Sequence, residues 1–458
     1  MSCARMTRSK AALLAVVMAA GLPTVSYAMS MEEALLLAEK IDPAVTGSLA
    51  LLDAERELGK QERATRLPQV NAVAGMRETD SKITATPFPN PDGSSGFSER
   101  YNSWDAAVEL RQPLFRFDFF ARGRRADALD ELAEAGAIVR EQVLIYRVAE
   151  RYLGVLQAKS ALRLAQSEAD AVSLSLSDTQ KRYDVQLIPG TDLKEAQARN
   201  DLAQANLIAA RQALDTAQDL LDESTGQGYA ELPEFPANAV LPVLDDDSRE
   251  VWLERVMTQN PSLRAARANL QVAKANADSS MSSALPEIDV VASHGRQDSA
   301  DSMIGSAGNN SIVGLELRVP IFASGGNRSR VKEADARRRV AEGELDSAIR
   351  STQRETRRLL ADVQTSRLQV SAFERAVASA EAAEQATKYG YEAGKRTMVD
   401  VLNAQSASTE ARRNYDQARF GHLLSMLRLK QQAGALGLQD FKTMDQLIKP
   451  ASAHEATQ

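Results

Sequence analysis

Cysteine is nearly absent from this chain of 458 residues, and the one present, Cys3, precedes the first apolar run. The remainder has no disulfide framework and no cysteine for a lipid anchor. Histidine is scarce too: His294, His422 and His454 stand far apart with no cysteine beside them. Such spacing does not make a metal site, and no serine has a histidine partner that sequence would assign. Gly226 and Gly228 frame a GQG turn and not a phosphate loop, because no lysine follows and no strand-to-helix pattern surrounds it. Neither an enzyme nor a bound cofactor is expected. Positive charge is not in excess either; the formal charge of −7 argues against nucleic acid as a partner.

Apolar runs are short. Ala11 to Ala20 lies behind Arg5, Arg8 and Lys10 and ahead of Ser26-Tyr27-Ala28, the make-up of a secretory signal peptide over residues 1–28. The run is too short to cross a bilayer of about 30 Å as a helix, and no later run is long or apolar enough. Cleavage removes those three positive charges, so the formal charge moves from −7 by a further three to −10.

What the chain does contain is an internal repeat. Tyr183, Thr191, Asp192, Ala196 and Gln197 recur at one constant offset as Tyr391, Val399, Asp400, Ala404 and Gln405. Asp42-Pro43 answers Asn260-Pro261, Leu67-Pro68 answers Leu285-Pro286, and Arg111-Gln112-Pro113-Leu114-Phe115 answers Arg318-Val319-Pro320-Ile321-Phe322. Only the stretch from Pro68 to Pro113 is longer than its counterpart, from Pro286 to Pro320, and extra length belongs in a loop. The expected division is a first repeat at 29–224, a linker at 225–248 rich in Gly, Pro and Asp, a second repeat at 249–435, and a C-terminal segment and tail at 436–458.

Within each repeat the hydrophobic period changes twice. Met31 to about Arg66 reads as helix, broken at Asp42-Pro43, where proline suits the start of a new helix. From Val70 the period is two: Val70, Ala72, Ala74 and Met76 share a face, and after a loop from about Thr84 to Asn102 so do Trp104, Ala106, Val108 and Leu110. The strand pairs are expected at about 68–115 and 286–322, the second carrying Val313, Leu315, Leu317 and Val319. Strands of about 9 to 11 residues match a membrane span, and four are too few to close a barrel, so the chain must oligomerise.

From Phe120 to about Arg182 no proline interrupts a helical pattern that would be on the order of 90 Å long. Leu132, Val139, Tyr146 and Leu153 recur every seven residues, as do Val363, Val370 and Val377, a left-handed supercoiling period. The long helices fall at about 118–223 and 325–434. A segment after Ala433 is expected to pack and the last residues to be disordered.

The stretch YEAGKRTMVDVLNAQ, Tyr391 to Gln405, with the Asn-Pro and Leu-Pro landmarks, the Arg-x-Pro-hydrophobic-Phe strand ends and the duplication, resembles the TolC-type outer-membrane channels of tripartite export systems over nearly the whole mature chain. The resemblance implies a mixed α and β membrane protein. In it a homotrimer, in contact with outer-membrane lipid, closes a transmembrane antiparallel barrel from four strands per chain. Long coiled-coil helices continue it as a periplasmic tunnel. It implies a passive duct for type I protein secretion or multidrug efflux, served by a periplasmic adaptor (membrane fusion protein) and an inner-membrane transporter. A periplasmic coiled-coil adaptor or scaffold outside any membrane is the alternative, and a compact secreted enzyme a weaker one.

By the same resemblance Asp400 lines the periplasmic constriction in a ring of three carboxylates. Such a ring attracts cations, although like charges raise one another's pKa. Arg396 and Tyr391 would hold the inner helix pair across to the other coil, with Thr191 and Asp192 as partners. The plainer reading of Asp192 and Asp400 is acidic residues in a helix first turn. Asn403 stands where a second acidic residue is common, and Gln186 where the first tip turn usually has glycine, a residue kept at Gly394. Val185, Gln186, Gly394 and Lys395 are the expected adaptor-docking tips.

Overall fold

The computed structural model describes residues 28–83, 97–226, 228, 232–236, 239–244, 248–282, 284–299 and 307–448. Residues 1–27 of the expected signal peptide, Asp245-Asp246-Asp247 and the expected tail from residue 449 lie outside them. Ser30 opens the folded body: its hydroxyl accepts the Glu33 amide and the Glu33 carboxylate accepts the Ser30 amide, a capping box that starts α1 (Met31–Ile41). Asp42 ends that helix and caps the next, α2 (Pro43–Ala64), whose first residue, proline, has no amide to leave unpaired. The expected break is thus a cap shared by two helices.

Four strands, β1 (Gln69–Ile83), β2 (Phe97–Phe115), β3 (Glu287–Ser299) and β4 (Ala307–Arg318), form one antiparallel sheet in that order. The loop expected to reach Asn102 ends earlier. Phe97 to Asn102 is strand, paired with Ile83 to Glu78, because backbone groups complete their ladder whatever the side chains. Arg100 reaches Glu78 and Asp80 across that pair and bridges their two carboxylates. Register puts Val70, Leu110, Ala292 and Val313 abreast on one face, and Asn71, Glu109, Ser293 and Ile312 on the other. Val70 is 64% and Val313 81% exposed, so the described residues leave these apolar positions uncovered. A Cβ on Gly295 would come within 2.6 Å of the Ala107 Cβ on the polar face, a close approach that only glycine allows. Arg111 and Arg116 bind the buried Asp289 carboxylate where this face meets the helices.

The helices that follow are too long for a globular core. α3 (Phe119–Asp184) has 66 residues, about 100 Å, and returns as α4 (Gly190–Thr225). After α5 (Arg249–Gln259), α6 (Pro261–Ser282), β3 and β4, the 67-residue α7 (Gly326–Glu392) returns as α8 (Met398–Gln432), and α9 (Leu438–Ile448) follows. Toward the sheet α2 and α6 flank α3; toward the far end α4 and α8 take their place. Buried Ala126, Ala133 and Ala135 on α3 let its neighbours approach closely. Of the heptad positions, Leu153 and Val363 are deeply buried, while Leu132, Val139, Tyr146, Val370 and Val377 are half-buried.

Midway along the helices lies the main core, with Leu35, Tyr152, Leu153, Phe420 and Phe441. The segment after Ala433 does pack: the Asp445 carboxylate accepts the Met31 and Glu32 amides at 2.7 and 3.0 Å, anchoring α9 to the N-terminal end of α1. The described parts of the expected linker form a strap bound to the helices. Lys159 donates to the Leu232 carbonyl at 2.6 Å, Arg419 to that of Pro236, and His422 Nε2 to that of Pro242 at 3.3 Å. Burial pushes the His422 imidazole below its ordinary value of 6.5, outweighing that hydrogen bond. The unfolded site binds a proton more readily than the folded one, so the stabilisation is complete above about pH 6.5 and declines as the pH falls below it. Amides of 239–244 should therefore exchange faster, after correction for intrinsic rates, at about pH 5.5 than at about pH 7.5. His422→Gln should remove the difference; a difference that survives in this variant would assign the effect elsewhere.

Candidate functional site

Both hairpins turn at the end far from the sheet, and by the same geometry. The Leu187 amide donates to the Arg182 carbonyl at 2.9 Å, and the Lys395 amide to that of Gly390 at 2.8 Å. Inside each loop one residue is left-handed, Gln186 at φ 63° and Gly394 at φ 72°. The glycine adopts this freely; glutamine meets its own Cβ and is disfavoured by about 1 kcal/mol or more. Val185, Gln186, Gly394 and Lys395 are all exposed. Leu187 joins them at 75% exposure, an apolar tip residue that the motif comparison had not singled out.

Just past the tip turns the repeat-related carboxylates occupy the same helical position but differ in their bonds. Thr397 caps α8: its hydroxyl accepts the Asp400 amide at 3.2 Å, and Asp400 Oδ2 accepts the Thr397 amide at 2.9 Å. The Thr397 amide, and after it the hydroxyl, hold the Asp400 carboxyl below the usual carboxylate range. In α4 the N-cap is Pro189, which offers neither an amide nor a capping side chain, and Asp192 Oδ1 instead accepts the Thr191 hydroxyl at 3.2 Å. Asp400 does stand in the first turn of its helix, as the plainer reading has it, and also closes the cap, yet it stays half-exposed.

Between the hairpins a row of contacts runs down to the tips. Ser160 donates to Asp416, and Arg413 lies 3.6 Å from Glu168. Next, Leu402, 4% exposed, inserts from α8 among Ala165, Ala169, Ala196, Ala203 and Leu207 of the other hairpin, with Met398 packed beside it. Beyond it Arg199 donates to Asn403 Oδ1, and the Arg182 guanidinium lies over the Tyr391 ring, 5.0 Å from its centroid. Tyr391 and Asn403 are thus brought to the opposite coil, through Arg182 and Arg199. Within one chain, Thr191 and Asp192 are not bonded to Tyr391 or Arg396, and among the described residues Arg396 has no ion-pair partner. Its stem instead crosses Gly390, where an added Cβ would sit 2.8 Å from Arg396 Cγ. Sequence reasoning missed Arg182, Arg199 and Leu402; a basic or apolar residue on a long helix carries no mark of what it will face.

Nothing at these tips resembles a catalytic centre, and no cluster of metal-ligating side chains exists among the described residues. No helix is long and apolar enough to cross a membrane, a statement that leaves a strand barrel open.

Comparison with known proteins agrees with this architecture. Residues 36–227 and 252–435 match the family described as Outer membrane efflux protein. The chain is 30% identical to the outer membrane protein TolC of Vibrio cholerae, over 96% of this chain and 99% of that protein. It is 27% identical to the alkaline protease secretion protein AprF of Pseudomonas aeruginosa, over 91% and 87%. Among solved structures, the outer-membrane channel OprN superposes with TM-score 0.75 at 19% identity, covering 89% of this chain and 90% of its own. VceC from Vibrio cholerae superposes with TM-score 0.74 at 17% identity, covering 89% and 96%. The family match spans most of the chain, and the 30% identity extends over nearly all of it: the chain belongs to the outer membrane efflux protein family, as an outer-membrane channel of the TolC type.

Proposed function

We propose that three copies join β4 of one to β1 of the next, closing a twelve-stranded barrel whose helices continue as a periplasmic tunnel. The observation that carries this reading is the four-stranded sheet, which among the described residues has both edges unpaired and an exposed apolar face. One chain cannot close such a sheet, and a lone open edge does not persist in lipid. An adaptor or scaffold outside the membrane leaves that face without a purpose. The halves 29–224 and 249–435 then act as two hairpins of one wall. The duct is passive, fed by an inner-membrane transporter through a periplasmic adaptor that docks on the exposed tips Val185, Gln186, Leu187, Gly394 and Lys395. The namesakes among its relatives include a protease secretion protein and a cobalt-zinc-cadmium resistance protein, so both protein and small-solute cargo fit the family.

The docked hairpins represent the closed tip. Asp400 from three chains forms the constriction, Asp192, Thr191, Tyr391 and Arg396 bound it, and Asn403 takes the next turn. Arg199 on Asn403 adds a guanidinium within about one Debye length of the carboxylate ring, which weakens cation attraction. Single-channel recording of the purified protein in a planar bilayer tests the reading. Asp400→Ala should abolish block by multivalent cations; persistence of block would move the cation site elsewhere. Silence from correctly assembled wild type and variants alike would sink the duct.

A further inference from the structure

The apolar face of the sheet is not uniformly apolar, and the exception has a pattern. Rising from the helices, this face carries Ile288 beside Leu317, then Val70, Leu110, Ala292 and Val313 abreast, and finally Met76 beside Trp104 and Asp298. From Ile288 to Asp298 the strand climbs about 25 Å, at about 3.3 Å per residue and a tilt near 40°, which is the height of the lipid-facing band of a membrane barrel. Within that band β3 presents His294 and Arg296, both exposed. Arg296 sits one level below Trp104, the aromatic that marks the upper edge.

An arginine facing lipid needs a counter-charge or a route to water. Higher on the same face Arg100 is satisfied by Glu78 and Asp80. Arg296 forms no ion pair with any described residue, Asp298 included. Next to it β4 places Asn309 opposite Arg296, and Ser311 opposite His294, whose Nδ1 lies 2.7 Å from the serine hydroxyl. On the other side, Ala72, Ala74 and Ala106 leave a shallow groove of about 440 Å³ that runs to His294 and Arg296. Small side chains on one flank and cationic and polar groups on the other match an acyl chain and an anionic headgroup.

Resting on the barrel reading above, we infer that this face holds an outer-leaflet lipid with a phosphorylated headgroup. Arg296 binds the phosphate from below the interface, with Ser311 and Asn309 as hydrogen-bonding neighbours, and the alanine groove takes an acyl chain. Arg296 itself lies on the inner strand β3, and the groups around it come from β1, β2 and β4.

Trp104, one level above Arg296, is a built-in reporter, and the second tryptophan, Trp252, is buried in the helical body. The test reconstitutes the full protein in phosphatidylcholine vesicles containing increasing brominated phosphatidylglycerol or, separately, brominated phosphatidylcholine, and reads tryptophan quenching. The wild type should prefer the anionic lipid by about fivefold, the attraction one basic residue supplies near a membrane surface. Arg296→Gln should lower the preference to about one, and Arg296→Lys should keep most of it. Equal quenching by the two lipids in the wild type, or an unchanged preference in Arg296→Gln, overturns the site. Quenching by neither lipid would instead overturn the membrane barrel beneath it.

Discussion

Leu402→Asp should make the assembled channel conduct several times more than wild type in a planar bilayer. The leucine is 4% exposed and fills an alanine-lined socket between α3 and α4. Its burial contributes about 2 to 3 kcal/mol per chain, and a carboxylate in its place would have to be desolvated without a partner. If the docked hairpins are the closed tip, as proposed above, loss of that docking shifts the closed-to-open balance of each hairpin by roughly 30- to 150-fold. Leu402→Ala, which keeps the socket apolar, should open the tip less. The polar links at Arg182 to Tyr391 and Arg199 to Asn403 are solvent-exposed and individually weak, so the apolar insertion is expected to dominate. Wild-type conductance from correctly assembled Leu402→Asp would mean that contacts between chains close the tip.

Arg419→Ala should release the strap over residues 232–236. Arg419 is 2% exposed; its guanidinium lies 4.4 Å from the Phe235 ring centroid and 5.3 Å from that of Tyr415, and it donates to the Pro236 carbonyl. Truncation empties the space between the rings and leaves that carbonyl unpaired, a loss of about 3 kcal/mol. Locally, amide exchange in 232–236 should accelerate by about a hundredfold, while the far ends of α3 and α7 keep their rates. Arg419→Lys should rescue poorly, since an ammonium cannot lie flat between two aromatic rings. Arg419→Met, similar in bulk and free of charge, separates packing from electrostatics: if it restores protection, the space mattered more than the charge. Unchanged exchange in Arg419→Ala would show that Phe235 and Leu232 hold the strap unaided.

Both predictions rest on residues that sequence reading passed over, and the physical reason is the same. Leu402 and Arg419 sit on a helix of 35 residues among many apolar and basic side chains. Their importance comes from what other segments bring to them: α4 for one, the strap for the other. Gln186 is the opposite case. Its departure from glycine was visible in the motif, and the left-handed φ follows from the turn that the motif dictates. Strand ends were legible only where apolar alternation persisted. Polar Phe97-to-Asn102 pairing escaped notice because the ladder there is a backbone property.

By itself the amino-acid sequence determined the duplication, the strand pairs with one apolar face, the proline-free long helices and the tip motif, because period and turn chemistry are local and read residue by residue. Tertiary structure alone decided that Tyr391 meets Arg182, that Asn403 meets Arg199, and that Arg296 stands beside a groove of alanines with no ion-pair partner among the described residues. Those are relations between segments about two hundred residues apart in the chain, and only the packing of hairpins and the register of strands brings them together.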